Sequence, residues 1–91
     1  MGRVTQAIRD KLTTAFQPER LEVVDDSARH AGHAGATEAG ESHFNVVIVS
    51  DAFKGRSRIQ RQRDVYTVLS EELAGPVHAF SLKAFAPGEQ P

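Results

Sequence analysis

Ninety-one residues make one domain, since the length falls below the ~150 of a typical domain and leaves room for a single modest core. A 40% hydrophobic and 25% charged composition excludes a wholly disordered chain, and a formal charge of −1 removes any argument for nucleic-acid binding from bulk charge. With no cysteine, the chain has no disulfide, no thiol nucleophile and no thiolates of its own for zinc or an iron–sulfur cluster.

The first segment carries Val4, Ile8, Leu12 and Phe16 at steps of four with polar residues between. That spacing predicts an amphipathic helix of about four turns, ended by Pro18. Leu21, Glu22, Val23 and Val24 read as a short strand closed by Asp25 and Asp26. Residues 27–42, SARHAGHAGATEAGES, show no period and read as a long loop, of the kind that is usually functional or disordered. HFNVVIVS, residues 43–50, is rich in β-branched residues and reads as a central strand buried on both faces or nearly so.

DAFKGRSR, with Gly55, reads as a turn. A single helix is expected through RIQRQRDVYTVLSEELAG, its apolar stripe formed by Val65, Tyr66, Leu69 and Leu73 and its end set by Gly75 and Pro76. Val77, Ala79, Phe80 and Leu82 form the last strand, and the proline-containing tail 86–91 is expected to be loose. The order is α-β-β-α-β: a hairpin, then a right-handed helical crossover between parallel strands. With three strands, both helices must share one face. The expected fold is an α+β two-layer sandwich with a three-stranded mixed sheet, one domain over residues 1–91.

No apolar run approaches the ~20 residues of a membrane span. The N-terminal MGRVTQAIRDKL has no apolar core of a secretory signal, and Gln6 stands where a myristoylation motif needs Ser or Thr. A cytoplasmic location is the expectation.

Two constellations could carry chemistry. His30 and His33 lie three apart in the loop, His43 opens the second strand, and His78 sits beside Ala79 and Phe80. Neutral imidazole is the commonest metal ligand. By spacing alone, however, the loop pair reads as idle and solvent-exposed, and His78 as a half-buried strand residue bonded to backbone. The second constellation is basic: Lys54, Arg56, Arg58, Arg61 and Arg63 fall together around Gly55 with no acid among them, beside a helix N-terminus. This suits a phosphate, a duplex backbone or an acidic partner surface, and equally a solvated helix face balanced by Asp64, Glu71 and Glu72. It lacks aromatics that stack on single-stranded bases, Tyr66 falling on the expected core stripe. There is no glycine-rich phosphate loop, nucleophile elbow or histidine pair with a glutamate on one helix face. An enzyme is therefore not the expectation.

The runs FQPERLEVVDDS, GESHFNVVIVSDAFKG, RSRIQRQRDVYTVLSEEL and GPVHAFSLKAFAPGE, in that order, resemble the BolA family over roughly residues 3 to 87. The resemblance implies a class II KH-like fold, which has the same α-β-β-α-β order. It also implies two activities. Many BolA-like proteins bind a monothiol glutaredoxin of the CGFS type and share a 2Fe–2S cluster with it; others are DNA-binding transcriptional regulators linked to stress, cell shape and biofilm.

For cluster sharing, the resemblance maps the family's C-terminal histidine onto His78 and a loop ligand onto His30, with His33 as the alternative. A cysteine-free chain needs sulfur from elsewhere; the glutaredoxin and glutathione would supply it. The isolated chain, a monomer, would then hold no cluster, and the loaded form would be a heterodimer. For the second activity, double-stranded DNA would lie on Lys54, Gly55, Arg56, Arg58, Arg61 and Arg63. Two departures bear on these roles. Gln62 replaces the histidine that the family usually carries between the two arginines, and the GxxG loop of RNA-binding KH domains is absent.

Overall fold

A computed structural model describes residues 2–25, 43–75 and 77–89. The expected loop 27–42 and Pro76 lie outside the described residues.

Helix α1 spans Arg3–Phe16. Ile8 and Leu12 are fully buried, with Val4 and Phe16 packed at the margin of the core, as the four-residue spacing predicts. The helix stops at Gln17, whose φ of 44° is left-handed and whose N–H donates to the Thr13 carbonyl at 3.0 Å. Pro18 ends the right-handed helix, because its ring disfavours that conformation in the residue before it, and the left-handed Gln17 closes the last turn.

Strands β1 (Arg20–Asp25), β2 (His43–Val49) and β3 (Ala79–Phe85) form one sheet in that order. β1 runs antiparallel to β2, from Arg20 opposite Val49 to Asp25 opposite Phe44. β3 runs parallel to β2, from Ala79 opposite His43 to Phe85 opposite Val49. The mixed sheet and its helical crossover thus follow the sequence expectation.

One detail differs. Along β2, Phe44, Val46 and Ile48 are buried while Asn45 is exposed and Val47 half-exposed. The strand alternates as far as Ile48, because the helices cover one face of the sheet only, and hides both faces only at its end, where Val49 is fully buried as well. Its run of valines reflects β propensity as well as burial.

After β2 the chain makes a 3-10 turn over Asp51–Phe53. Ser50 organises it: the hydroxyl donates to the Phe16 carbonyl at 2.5 Å and accepts from the Ala52 N–H at 3.1 Å, while its own N–H donates to the Phe85 carbonyl at 3.0 Å. Phe53 is fully buried, 5.0 Å from the Phe16 ring centre. Helix α2 (Arg58–Val68) begins with a reciprocal cap: the Gln60 N–H donates to Ser57 Oγ at 3.1 Å and the Ser57 N–H to Gln60 Oε1 at 2.8 Å.

The expected single helix is two pieces. α3 covers Ser70–Ala74, and the break falls at Leu69 (φ −100°, ψ 19°). The hydrogen-bond ladder continues across it, from Leu69 N–H to Val65 O and from Leu73 N–H to Leu69 O, so the break is a kink. Thr67 Oγ1 donates back to the Arg63 carbonyl at 2.8 Å, a bond that bends helices.

The stripe also needs correction. Val65 and Leu69 are fully buried and Leu73 packs against the core, but Tyr66 is 37% exposed. Adjacent residues on a helix point about 100° apart, and with Val65 turned inward Tyr66 turns out. Its ring lies edge-on to Phe80 at 5.7 Å.

Nor is the segment after β3 loose as far as Glu89. Ala86 is buried, Gly88 adopts a φ of 89° that favours glycine, and the Glu89 N–H donates to the Ala86 carbonyl at 3.1 Å.

Candidate functional site

His78 directly precedes β3 and is exposed. It is therefore not the half-buried strand residue that spacing suggested. Its neighbour Ala79 is the register partner of His43, the first residue of β2. The sheet thus places His43 and His78 at one end. The chain that carries His30 and His33 leaves the described structure after Asp25 and re-enters at His43, and both anchors stand at that same end of the sheet. His30 and His33 themselves lie outside the described residues, so their relation to His78 has no geometry. Among the described residues no three His, Cys, Asp or Glu side chains gather as a metal site.

Reading the sequence alone passes over His43 as a neighbour of His78. The signal was available, since HFNVVIV and HAFSLKAF both open on or beside a histidine and a parallel pairing brings those starts together.

The basic residues begin beyond the opposite end of β2, after the turn that follows it. Lys54 and Gly55 belong to the turn before α2; Gly55 has a φ of 75° and open space where a Cβ would stand. Arg58 and Arg63 are exposed on α2. Lys54, Arg58 and Arg63 take part in no ion pair among the described residues.

Two members of the expected patch are committed elsewhere. Arg56 grips Asp64 through Nε at 2.5 Å and Nη2 at 3.0 Å. Arg61, whose side chain is only 12% exposed, grips Glu89 at 2.5 and 3.1 Å and also donates to the Arg56 and Ala84 carbonyls at 2.9 and 3.1 Å. The sequence offers Asp64 as an acid balancing this run but conceals Glu89. Asp64 follows the run directly, and Glu89 comes from beyond β3.

The Arg61 fork and the Ala86 N–H at 3.0 Å hold the Glu89 carboxyl down at about 2, while Glu89 raises Arg61 against the opposing effect of burial.

An open groove of about 720 Å³ runs between α2 and the edge strand β3. Arg56, Arg58, Arg61 and Lys83 supply its positive charge, Tyr66 and Phe80 its aromatic wall, and Glu89 its single acid. Gln62 lines it too, and its Nε2 donates to the Tyr66 hydroxyl at 3.1 Å. The groove therefore joins a ring pair to a cationic rim, a combination suited to an extended anionic chain. Lys83, far from the run in sequence, enters it through β3.

A sequence profile of the family described as BolA-like protein matches residues 12–89. BolA-like protein 1 of Mus musculus is 49% identical over 88 residues, covering 97% of this chain and 61% of that protein. The DNA-binding transcriptional regulator BolA of Escherichia coli K12 is 48% identical over 82 residues, 90% of this chain and 74% of the other. Among solved structures, the BolA domain of SufE1 from Arabidopsis thaliana superposes with a TM-score of 0.85 at 44% identity, covering 99% of each chain. The chain spans a quarter of the length of the corresponding SufE-like protein 1 and less than two-thirds of the mouse protein.

Proposed function

The chain belongs to the BolA-like family, and from that premise we propose that it is an adaptor that completes a 2Fe–2S cluster held jointly with a monothiol glutaredoxin. The observation that carries this reading is the exposure of His78 at the sheet end where His43 also starts its strand and where the chain bearing His30 and His33 is anchored.

The donor set fits one side of such a cluster. Imidazole nitrogen ligates iron in histidine-bound 2Fe–2S centres, and a chain with no cysteine must obtain its remaining sulfur donors from a partner thiol. His78 would present one nitrogen, with His30 or His33 supplying the second. When bound, the cluster supplies the redox or iron-carrying chemistry; this chain supplies imidazole and a docking face. The isolated protein is then colourless and binds the cluster only as a heterodimer.

Co-expression with a CGFS glutaredoxin and anaerobic purification, followed by iron, sulfide and visible-absorption measurements, tests the reading. A stable coloured heterodimer is expected. His78→Ala should abolish the colour while leaving the fold within about 0.5 kcal/mol of wild type, as for an exposed position. An unchanged spectrum removes His78 from the site.

The cationic groove between α2 and β3 supports a second reading, a DNA-binding regulator of the kind its E. coli relative is named for. Arg58 in the groove, with Lys54 and Arg63 exposed outside it, would contact duplex phosphates. Replacing any of them with alanine should weaken binding about equally for all sequences and flatten the salt dependence by about one unit. Fluorescence anisotropy of a labelled duplex across a salt series measures both.

A further inference from the structure

Arg61 is anchored on three sides. Nε donates to the Arg56 carbonyl, Nη1 to the outward-facing Ala84 carbonyl of β3, and the guanidinium forks onto both oxygens of Glu89. The same Glu89 Oε1 accepts from the Ala86 N–H at 3.0 Å. A guanidinium held rigid by backbone carbonyls and converging with a backbone N–H is the arrangement that binds phosphate or carboxylate in proteins generally. Here its occupant comes from the chain itself.

Glu89 is also the sole acid in a groove lined by four cations. Its side chain is 45% exposed, against 12% for Arg61. The carboxylate therefore covers the one groove cation that solvent barely reaches. The turn at Gly88 and the Glu89 N–H to Ala86 carbonyl bond hold it at high effective concentration.

We propose that Arg61 and the Ala86 amide form a phosphate-binding cradle which the chain closes with its own Glu89, and that a phosphate of a nucleic-acid strand in the groove displaces this latch. Phosphate is preferred to a lone foreign carboxylate because a nucleic-acid strand carries a charge on every backbone unit, so that neighbouring phosphates engage Arg58 and Lys83 on the rim while one occupies the cradle. The latch makes occupation of the groove self-limiting. An incoming anion must outcompete a tethered one, so weak or sparsely charged ligands are rejected and polyphosphate chains, which engage several cations at once, are admitted. The identity of the natural anion rests on the second reading above; the latch itself does not.

The test separates the two. Wild type, E89Q, E89A and the charge control E71Q (Glu71 is 87% exposed on α3, outside the groove) are titrated with tripolyphosphate while the Arg61 Nε–H and Ala86 N–H resonances are followed. Both E89 variants are expected to bind about tenfold more tightly than wild type, the order of one charge-assisted hydrogen bond, with both resonances shifting to saturation. E71Q should stay near wild type. Equal affinity in wild type and both E89 variants, or an equal gain in E71Q, overturns the latch. Hexaglutamate binding E89Q as tightly as tripolyphosphate overturns the preference for phosphate. In a parallel duplex-DNA titration, E89Q should bind more tightly and with a salt slope steeper by ~0.9. If no variant binds duplex while the tripolyphosphate gain stands, the latch is upheld and the DNA reading falls.

Discussion

The Lys11 ammonium donates to both carboxylate oxygens of Glu72, at 3.0 and 2.8 Å, and so ties α1 to α3 across 61 residues of sequence. The Glu72 side chain is only 11% exposed, that of Lys11 33%. The hydrogen bond to Glu72 raises Lys11 above its ordinary 10.5, burial opposing. Because the folded state holds this proton more tightly than the unfolded one, the pair's contribution is fully present below pH 10.5 and is lost as pH rises through the higher folded value. Lys11→Met should lower the urea midpoint at neutral pH by stranding a nearly buried carboxylate. Its difference from wild type should shrink in alkali; a difference that grows there contradicts the assignment.

Glu89 titrates in the opposite sense. Its carboxyl is depressed from 4.5 to about 2, first by the Arg61 fork and then by the Ala86 N–H. The stability it contributes is present above pH 4.5 and disappears as pH falls from there towards 2. Wild type and E89Q should therefore differ in thermal midpoint near neutrality and converge in acid. Calorimetry over that range is the measurement, and parallel curves would show that the carboxylate's charge contributes nothing.

Gln17 is the only described non-glycine residue with positive φ, at 44°. Left-handed backbone costs a residue with a side chain about 1–2 kcal/mol, part of which glycine gives back as unfolded-state entropy. Gln17→Gly should raise stability by about 0.5–1 kcal/mol in chemical denaturation, with Pro18 left in place.

Leu69 and Tyr66 sit three positions apart on α2 and its cap, yet their substitutions should differ several-fold. Leu69 is fully buried, so Leu69→Ala should cost about 2–5 kcal/mol. Tyr66→Ala gives up an exposed ring and one edge-on contact with Phe80, about 0.5–1.5 kcal/mol. Equal losses would return Tyr66 to the core.

Local periodicity made most of the architecture legible. The four-step spacing of Val4, Ile8, Leu12 and Phe16 defined α1, and the helical run between two expected strands favoured a parallel crossover. What stayed hidden depends on residues distant in sequence. Val65 and Tyr66 compete for one inward direction, and only the packed sheet decides between them. Arg61 meets its acid 28 positions later, after a strand that must first pair. His43 nears His78 through register, which no window of sequence contains. The fold-back of Ala86–Glu89 defied composition because one buried alanine and one glycine turn outweigh the flexibility that flanking prolines suggest.

Ser50 carries a consequence of its own. One small hydroxyl, together with its amide, joins the end of α1, the last residue of β3 and the turn that leads to the basic segment. Removing that oxygen would orphan a carbonyl and an amide at a nearly dry junction and release the end of α1 and the turn from each other, leaving only the backbone bond to Phe85. The direction in which Lys54 and Gly55 leave the sheet is thus set by a keystone with no chemistry of its own, and the aim of the cationic turn would drift without any cation being touched.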